Sequence, residues 1–256
     1  MDEEIVSETM EAMADRQTAK KHAKQVTCLR GIRGVPTAEI ARIAAAMWDE
    51  DPPGLPQDRG SLTRVFGGAW EDGLVAVGLL AACTPDDPEE AMDIALEWLE
   101  RVDDLATADA LGWMVLGPAW MSLGVPIDAL LEPTLCADHP VRRRAGIMAA
   151  LALTTERLEG PAAAPLRERV GQRQLRFVSE AQSAVLDQIC TIAVKDDDPH
   201  VRKGLRRVLR AWSKSDAPAV AAWGETIAGG LPKLIRGETV RARNIARRLA
   251  TLQAEE

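Results

Sequence analysis

Asp109 is the only charged side chain between Leu105 and Ile127. It sits in the run LATADALGWMVLG, which is apolar on nearly every helical face. Burying an unpaired carboxylate there would cost on the order of several kcal/mol, so it needs a partner or an opening. Two readings stand. In the first, Asp109 lies at a helix edge and is satisfied by a polar neighbour such as Thr107. In the second, it lines a cleft, where a carboxylate can act as a general base or as a fixed charge. Either chemical role is worth about 10²–10⁴-fold in rate. No second catalytic constellation is visible. His22, His139 and His200 pair with no Cys or Ser motif, and Gly67-Gly68 and Gly229-Gly230 read as turns. Cys28, Cys83, Cys136 and Cys190 lie far apart without metal-ligand spacing, each beside apolar residues, and read as reduced core thiols. No cofactor and no metal is expected.

Basic residues supply the second signal. Arg142, Arg143 and Arg144 are consecutive. Arg202, Arg206 and Arg210 recur every four residues with Lys203 and Arg207 beside them, and Arg236, Arg241, Arg243, Arg247 and Arg248 follow. The net charge is −8, but it is unevenly spread. Residues 41–135 hold 4 Lys/Arg against 18 Asp/Glu, whereas residues 200–256 hold 12 against 5. Such asymmetry points to an anionic partner. Solvated helix faces and salt bridges are the plain alternative, yet residues 200–213 contain no acid. Like charges four apart cost a helix a few tenths of a kcal/mol (about 0.2–0.5) each, and an external phosphate would relieve them.

The elements that must position these groups read as helices. Ala and Leu dominate, Tyr is absent and Phe occurs twice, so the residues that favour strands are scarce. Pro, Gly and Asp punctuate the chain near 31–36, 50–60, 84–88, 117–118, 124–126, 138–140, 159–165, 196–199, 216–218 and 229–232. Residues 110–127 are uncharged but hold Gly112, Gly117, Pro118, Gly124 and Pro126, which predicts two broken helical pieces in a core rather than a membrane span. Asp138-His139-Pro140-Val141-Arg142 resembles Asp198-Pro199-His200-Val201-Arg202. After each Val, apolar residues fall at the same offsets: Val141, Ala145, Met148, Ala149, Ala152 and Val201, Leu205, Val208, Leu209, Trp212. An aspartate cap, Val-Arg and an amphipathic helix are how HEAT repeats begin. The expected fold is all-α: a right-handed α-solenoid of stacked HEAT-like antiparallel helix pairs with a concave basic groove. It would form one domain over 1–256, with an N-terminal helix in 1–30, repeats over 31–214 and basic capping helices over 215–256. Met1 is followed by acids rather than a basic and apolar leader, so the expected location is cytoplasmic, at the nucleoid in a bacterium.

In that order the pieces resemble the AlkD-like DNA alkylation repair family, HEAT-like-repeat DNA glycosylases that remove positively charged alkylpurines. The pieces are Gly34-Val35-Pro36, Trp70-Glu71-Asp72-Gly73, Trp98-Leu99 leading through Val102-Asp103-Asp104-Leu105 to Asp109, Val141-Arg142-Arg143-Arg144-Ala145, and Asp198 with Val201-Arg202-Lys203-Gly204 through Val208-Leu209-Arg210. The resemblance spans about residues 33–214. It implies that Asp109 is the catalytic carboxylate and that DNA-contacting arginines fall near Arg144 and on Arg210. Leu105 and Arg207 stand where the family has tryptophans, and Ala76 and Gly78 where it has a Glu and an Arg. Trp113 and Trp212 lie nearby, and core packing suits both. A cation at 207 implies a changed substrate or none, since like charges repel.

Three functions remain open. The first is hydrolysis of the N-glycosidic bond of cationic N3- or N7-alkylpurines. The second is non-catalytic recognition of DNA backbone or distorted DNA. The third is a HEAT scaffold for a protein, using the acidic half. For the first two, the expected partner is double-stranded DNA, alkylated DNA included, contacted by Arg142, Arg143, Arg144, Arg202, Lys203, Arg206, Arg207, Arg210 and Arg243. No membrane and no obligate protein partner is expected.

Overall fold

The computed structural model describes residues 3–55, 57–124, 126–154, 178–227 and 230–254. The break expected at 159–165 and Gly229 lie outside them. Every regular element among the described residues is helical. In chain order they are α1 (Glu3–Ala12), α2 (Arg16–Gln25), α3 (Thr37–Glu50), α4 (Arg59–Phe66), α5 (Trp70–Cys83), α6 (Pro88–Leu99) and α7 (Leu105–Ala110). A π-helical turn, Leu111–Leu116, follows, then α8 (Gly117–Leu123), α9 (Asp128–Leu130) and a second π turn, Leu131–Leu135. The rest are α10 (Pro140–Ala149), α11 (Leu151–Thr154), α12 (Glu180–Ala193), α13 (Pro199–Ser215), α14 (Ala217–Thr226) and α15 (Lys233–Ala254). No described helix is long and apolar enough to cross a membrane.

Side-chain caps explain many of the helix starts. Asp15, Asp87, Asp104, Ser179, Asp198 and Asp216 each accept a hydrogen bond from a first-turn amide, satisfying donors that the helix cannot. Proline at the start of α6, α10, α13 and α14 presets the first dihedral. The two similar segments differ here. Asp198 caps α13, whereas α10 starts on His139 without a side-chain cap.

Helices α3, α5, α7 with its π turn, α10, α13 and α15 pack each on the next in that order. Helices α4, α6, α8 and α11 form a second such series behind them. The apolar offsets read from the two Val-Arg segments are all buried in α10 through Ala152 and in α13. Trp98, Trp212 and Trp223 are fully buried, and Trp98 stacks on Phe66 with centroids 4.2 Å apart. Each large apolar side chain so buried contributes about 1.5–3 kcal/mol. Cys83 and Cys190 are core thiols, and burial pushes the Cys190 thiol well above its ordinary range. Cys136 is exposed, contrary to the expectation that all four are core thiols.

The expected break at Gly117-Pro118 does not occur. The run Leu105–Leu123 is continuously helical, and Pro118 lies just after the π turn, where the hydrogen-bond ladder is already offset. The glycines serve close packing instead. A Cβ on Gly112 would collide with the Ala145 carbonyl and one on Gly117 with the Ala149 carbonyl, so α10 lies directly on this run.

Candidate functional site

That close approach brings three side chains from three helices together. Asp109 ends the first turns of α7. From α10, Arg144 donates Nε to Asp109 Oδ1 at 2.6 Å and Nη2 to Oδ2 at 2.7 Å, a bidentate fork. Its Nη1 donates to the His200 carbonyl at 2.7 Å, tying α7 and α10 to the start of α13. Gly204 on α13 leaves room for the Arg144 stem. Arg207, also on α13, donates Nη1 to Asp109 Oδ2 at 3.3 Å, and its guanidinium carbon lies 5.4 Å from the centre of the Trp113 ring. Asp109 is 17% exposed, Arg144 11% and Arg207 46%. The partner of Asp109 is therefore an arginine pair and not Thr107, which is occupied elsewhere: its hydroxyl accepts from Arg30 and its N–H donates to Asp104.

A carboxylate offers about four lone-pair sites, and three hydrogen bonds are made here. One direction remains for a water or a substrate donor. The trio carries one negative and two positive charges. Arg144 is held on three sides and fixes the carboxylate, whereas Arg207 makes one long hydrogen bond and one ring contact and lies nearly half in solvent.

Apart from Lys203, the remaining basic candidates are tied to nearby acids and carbonyls. Arg143 donates to Asp196 Oδ2 at 2.5 Å and to the carbonyls of Ala137 and Asp138. The Asp196 hydrogen bond raises the Arg143 pKa above the usual arginine value. Arg142 reaches the Glu100 carbonyl at 3.3 Å. Arg202 donates to the Asp196 carbonyl and to Asp197 Oδ1. Arg206 and Arg210 both donate Nε to Glu238 Oε1, at 2.7 and 2.8 Å. Arg243 pairs with Glu225 at 3.2 Å, away from the others. Lys203 is exposed and makes no ion pair among the described residues. The cationic stripe of α13 is thus less bare than residues 200–213 suggest, because other segments supply its acids, Asp109, Asp197 and Glu238, and the Asp196 carbonyl. Glu238 was missed in the sequence. Its signal is that it is the only acid in α15, a helix otherwise rich in Arg and Lys.

A second carboxylate–arginine junction lies between α5 and the segment before α3. Glu71 accepts from the amides of Arg33 at 3.0 Å and Gly34 at 2.8 Å, and Gly34 holds φ 91°. Asp72 takes a fork from Arg33 and caps α5 at Ala69. Asp104 accepts from Arg30, from Trp70 Nε1 and from its own first turn. Trp70-Glu71-Asp72-Gly73 is therefore a buried clamp that fixes the start of α7.

No curated protein is significantly similar to the chain. The model of the DNA alkylation repair enzyme family matches residues 6–242, and the chain belongs to that family.

Proposed function

We propose that the protein binds double-stranded DNA in the concave basic groove of a right-handed HEAT-like solenoid and hydrolyses the N-glycosidic bond of cationic N3- or N7-alkylpurines, with Asp109 as the catalytic carboxylate. The observation that carries this is the Asp109–Arg144 fork, partly open to solvent where α7, α10 and α13 meet. The base is already cationic, so it departs as a neutral alkylpurine with the electron pair of the C1′–N bond, leaving an oxocarbenium at C1′. Asp109 stabilises that cation and orients a water, which bonds to C1′ and gives up its proton to the carboxylate or to solvent. Arg144 is a positioning residue, holding both carboxylate oxygens in one plane. Such a preorganised charge is worth about 10²–10⁴-fold.

Arg207 supports a second reading, non-catalytic DNA recognition. It fills the space between Asp109 and Trp113 where a cationic base would gain about 0.5–2 kcal/mol from the ring, and it makes the trio net positive. For excision to proceed, Arg207 must swing off Trp113, and the DNA backbone is the anion that would receive it.

The test is incubation of the full chain with methylated duplex DNA, measuring free methylpurine together with binding across a salt series. Release supports excision. Salt-sensitive binding without release supports the second reading. Absence of binding at physiological salt would leave the protein-scaffold reading. Replacing Arg206 and Arg210 by Gln together should flatten the salt slope.

A further inference from the structure

Helix α13 carries a second basic cluster, against α15, whose lining does not include Asp109. Between α13 and α15 lies an open cleft of about 590 Å³ lined by Arg206, Arg210, Lys233, Gly237, Glu238 and Arg241. Four cations surround one carboxylate. Glu238 is 5% exposed and takes the Nε of both arginines on a single oxygen, so it fixes two guanidinium planes while offsetting only one of their two charges. Their terminal Nη groups make no hydrogen bond among the described residues, and Lys233 and Arg241 make no ion pair there. Lys233, Gly237 and Arg241 are spaced by four along α15. Gly237 lies midway, and no atom stands within 4 Å of where its Cβ would be, so bare backbone floors the cleft between the two cations. The cleft also opens on the first turn of a 22-residue helix, whose N-terminal partial charge favours anions.

We infer that this cleft binds phosphates of the DNA backbone, as an anchor separate from the Asp109 centre, with Lys233 and Arg241 as ligands beside Arg206 and Arg210. The inference rests on the DNA-binding reading and not on base excision. Length favours a chain of phosphates over a single one. Lys233 and Arg241 are eight residues apart, about 12 Å along the helix axis, more than one phosphate group fills. Position favours DNA. Arg207 projects from the same helix one residue after Arg206, towards Asp109, so α13 would hold the backbone with one shoulder and address the base site with the other.

The test uses the full chain and a fluorescent, unmodified duplex, with affinity measured by anisotropy across a salt series. Two variants probe the cleft differently. Lys233→Gln with Arg241→Gln removes charge. Gly237→Leu fills the floor, leaves the charge and suits a helix better than glycine. Helical content by circular dichroism checks that both variants fold. Each should weaken duplex binding by about tenfold at low salt, and the charge variant, which removes two cations, should also lower the slope of log affinity against log salt by about two. If wild type binds duplex and both variants bind equally well, the cleft assignment is overturned while DNA binding stands. If wild type binds no duplex, both fall together. A parallel thermal-shift titration with inorganic phosphate covers the other source. Stabilisation of wild type but not of the variants, with duplex affinity equal in all three, would assign the cleft to a free phosphorylated molecule and overturn the backbone assignment.

Discussion

Two junctions in this molecule use the same chemistry, arginine forked on carboxylate, to opposite ends. At the α5 clamp, the forked carboxylate Asp72 keeps 6% of its side-chain surface, and Glu71 and Asp104 beside it keep none. Their partners are backbone amides, the His22 ring, a Trp N–H, Arg30 and Arg33, and the two arginines also tie in Ser7 and Glu11 of α1 and the Phe66 carbonyl of α4. At the α7–α10–α13 junction, Asp109 keeps 17% of its side-chain surface and Arg207 keeps 46%. There the carboxylate has a lone pair to spare and one of its cations can leave. Buried and saturated pairs fix geometry and add little else, whereas a pair left partly open retains the ability to exchange a partner. Ion-pair chemistry alone would not tell the two apart. Accessibility and spare hydrogen-bonding capacity do.

That contrast can be broken or sharpened by mutation. Asp104→Ala strips Arg30, Trp70 and the first turn of α7 of a buried acceptor. It should lower unfolding free energy in urea by about 3–5 kcal/mol, and a loss below about 1 kcal/mol would show that the clamp is no clamp. Arg207→Gln vacates the face of Trp113 and removes a positive charge from the Asp109 site. Methylpurine release should rise by about tenfold with little change in Tm, and an unchanged or lower rate would mean that Arg207 does not compete with the base. Arg59→Ala removes a more solvent-exposed fork, to Glu90 and Glu97, and should cost less than about 1 kcal/mol. A larger loss would mean that exposure does not separate the classes.

The helical class and most of the element boundaries were legible because Asp-Pro caps and Pro/Gly punctuation act locally. The buried faces of α10 and α13 were legible for the same reason: their apolar offsets repeat within one helix. Asp109 was conspicuous by its apolar surroundings. Its partners were not, since Arg144 and Arg207 come from 35 and 98 residues away. Glu238 likewise reaches Arg206 and Arg210 from α15, so a window of residues 200–213 could not show how α13 is neutralised. The clamp was visible only as the residues Trp70-Glu71-Asp72-Gly73. Its meaning depends on the amides of Arg33 and Gly34, which no side-chain pattern announces. Gly117-Pro118 misled because a π turn offsets the hydrogen-bond ladder just before that proline and lets the helix run on, a register that sequence spacing does not encode.

The most direct measurement compares wild type and Asp109→Asn for release of free methylpurine from methylated duplex DNA, with duplex affinity and Tm recorded alongside. The account predicts at least about a hundredfold loss of release with duplex affinity undiminished and the protein still folded, because Asn keeps the shape but not the charge. Equal release by the two proteins, or a collapse in Tm that accounts for the loss, would contradict it and return Asp109 to the company of the buried clamp.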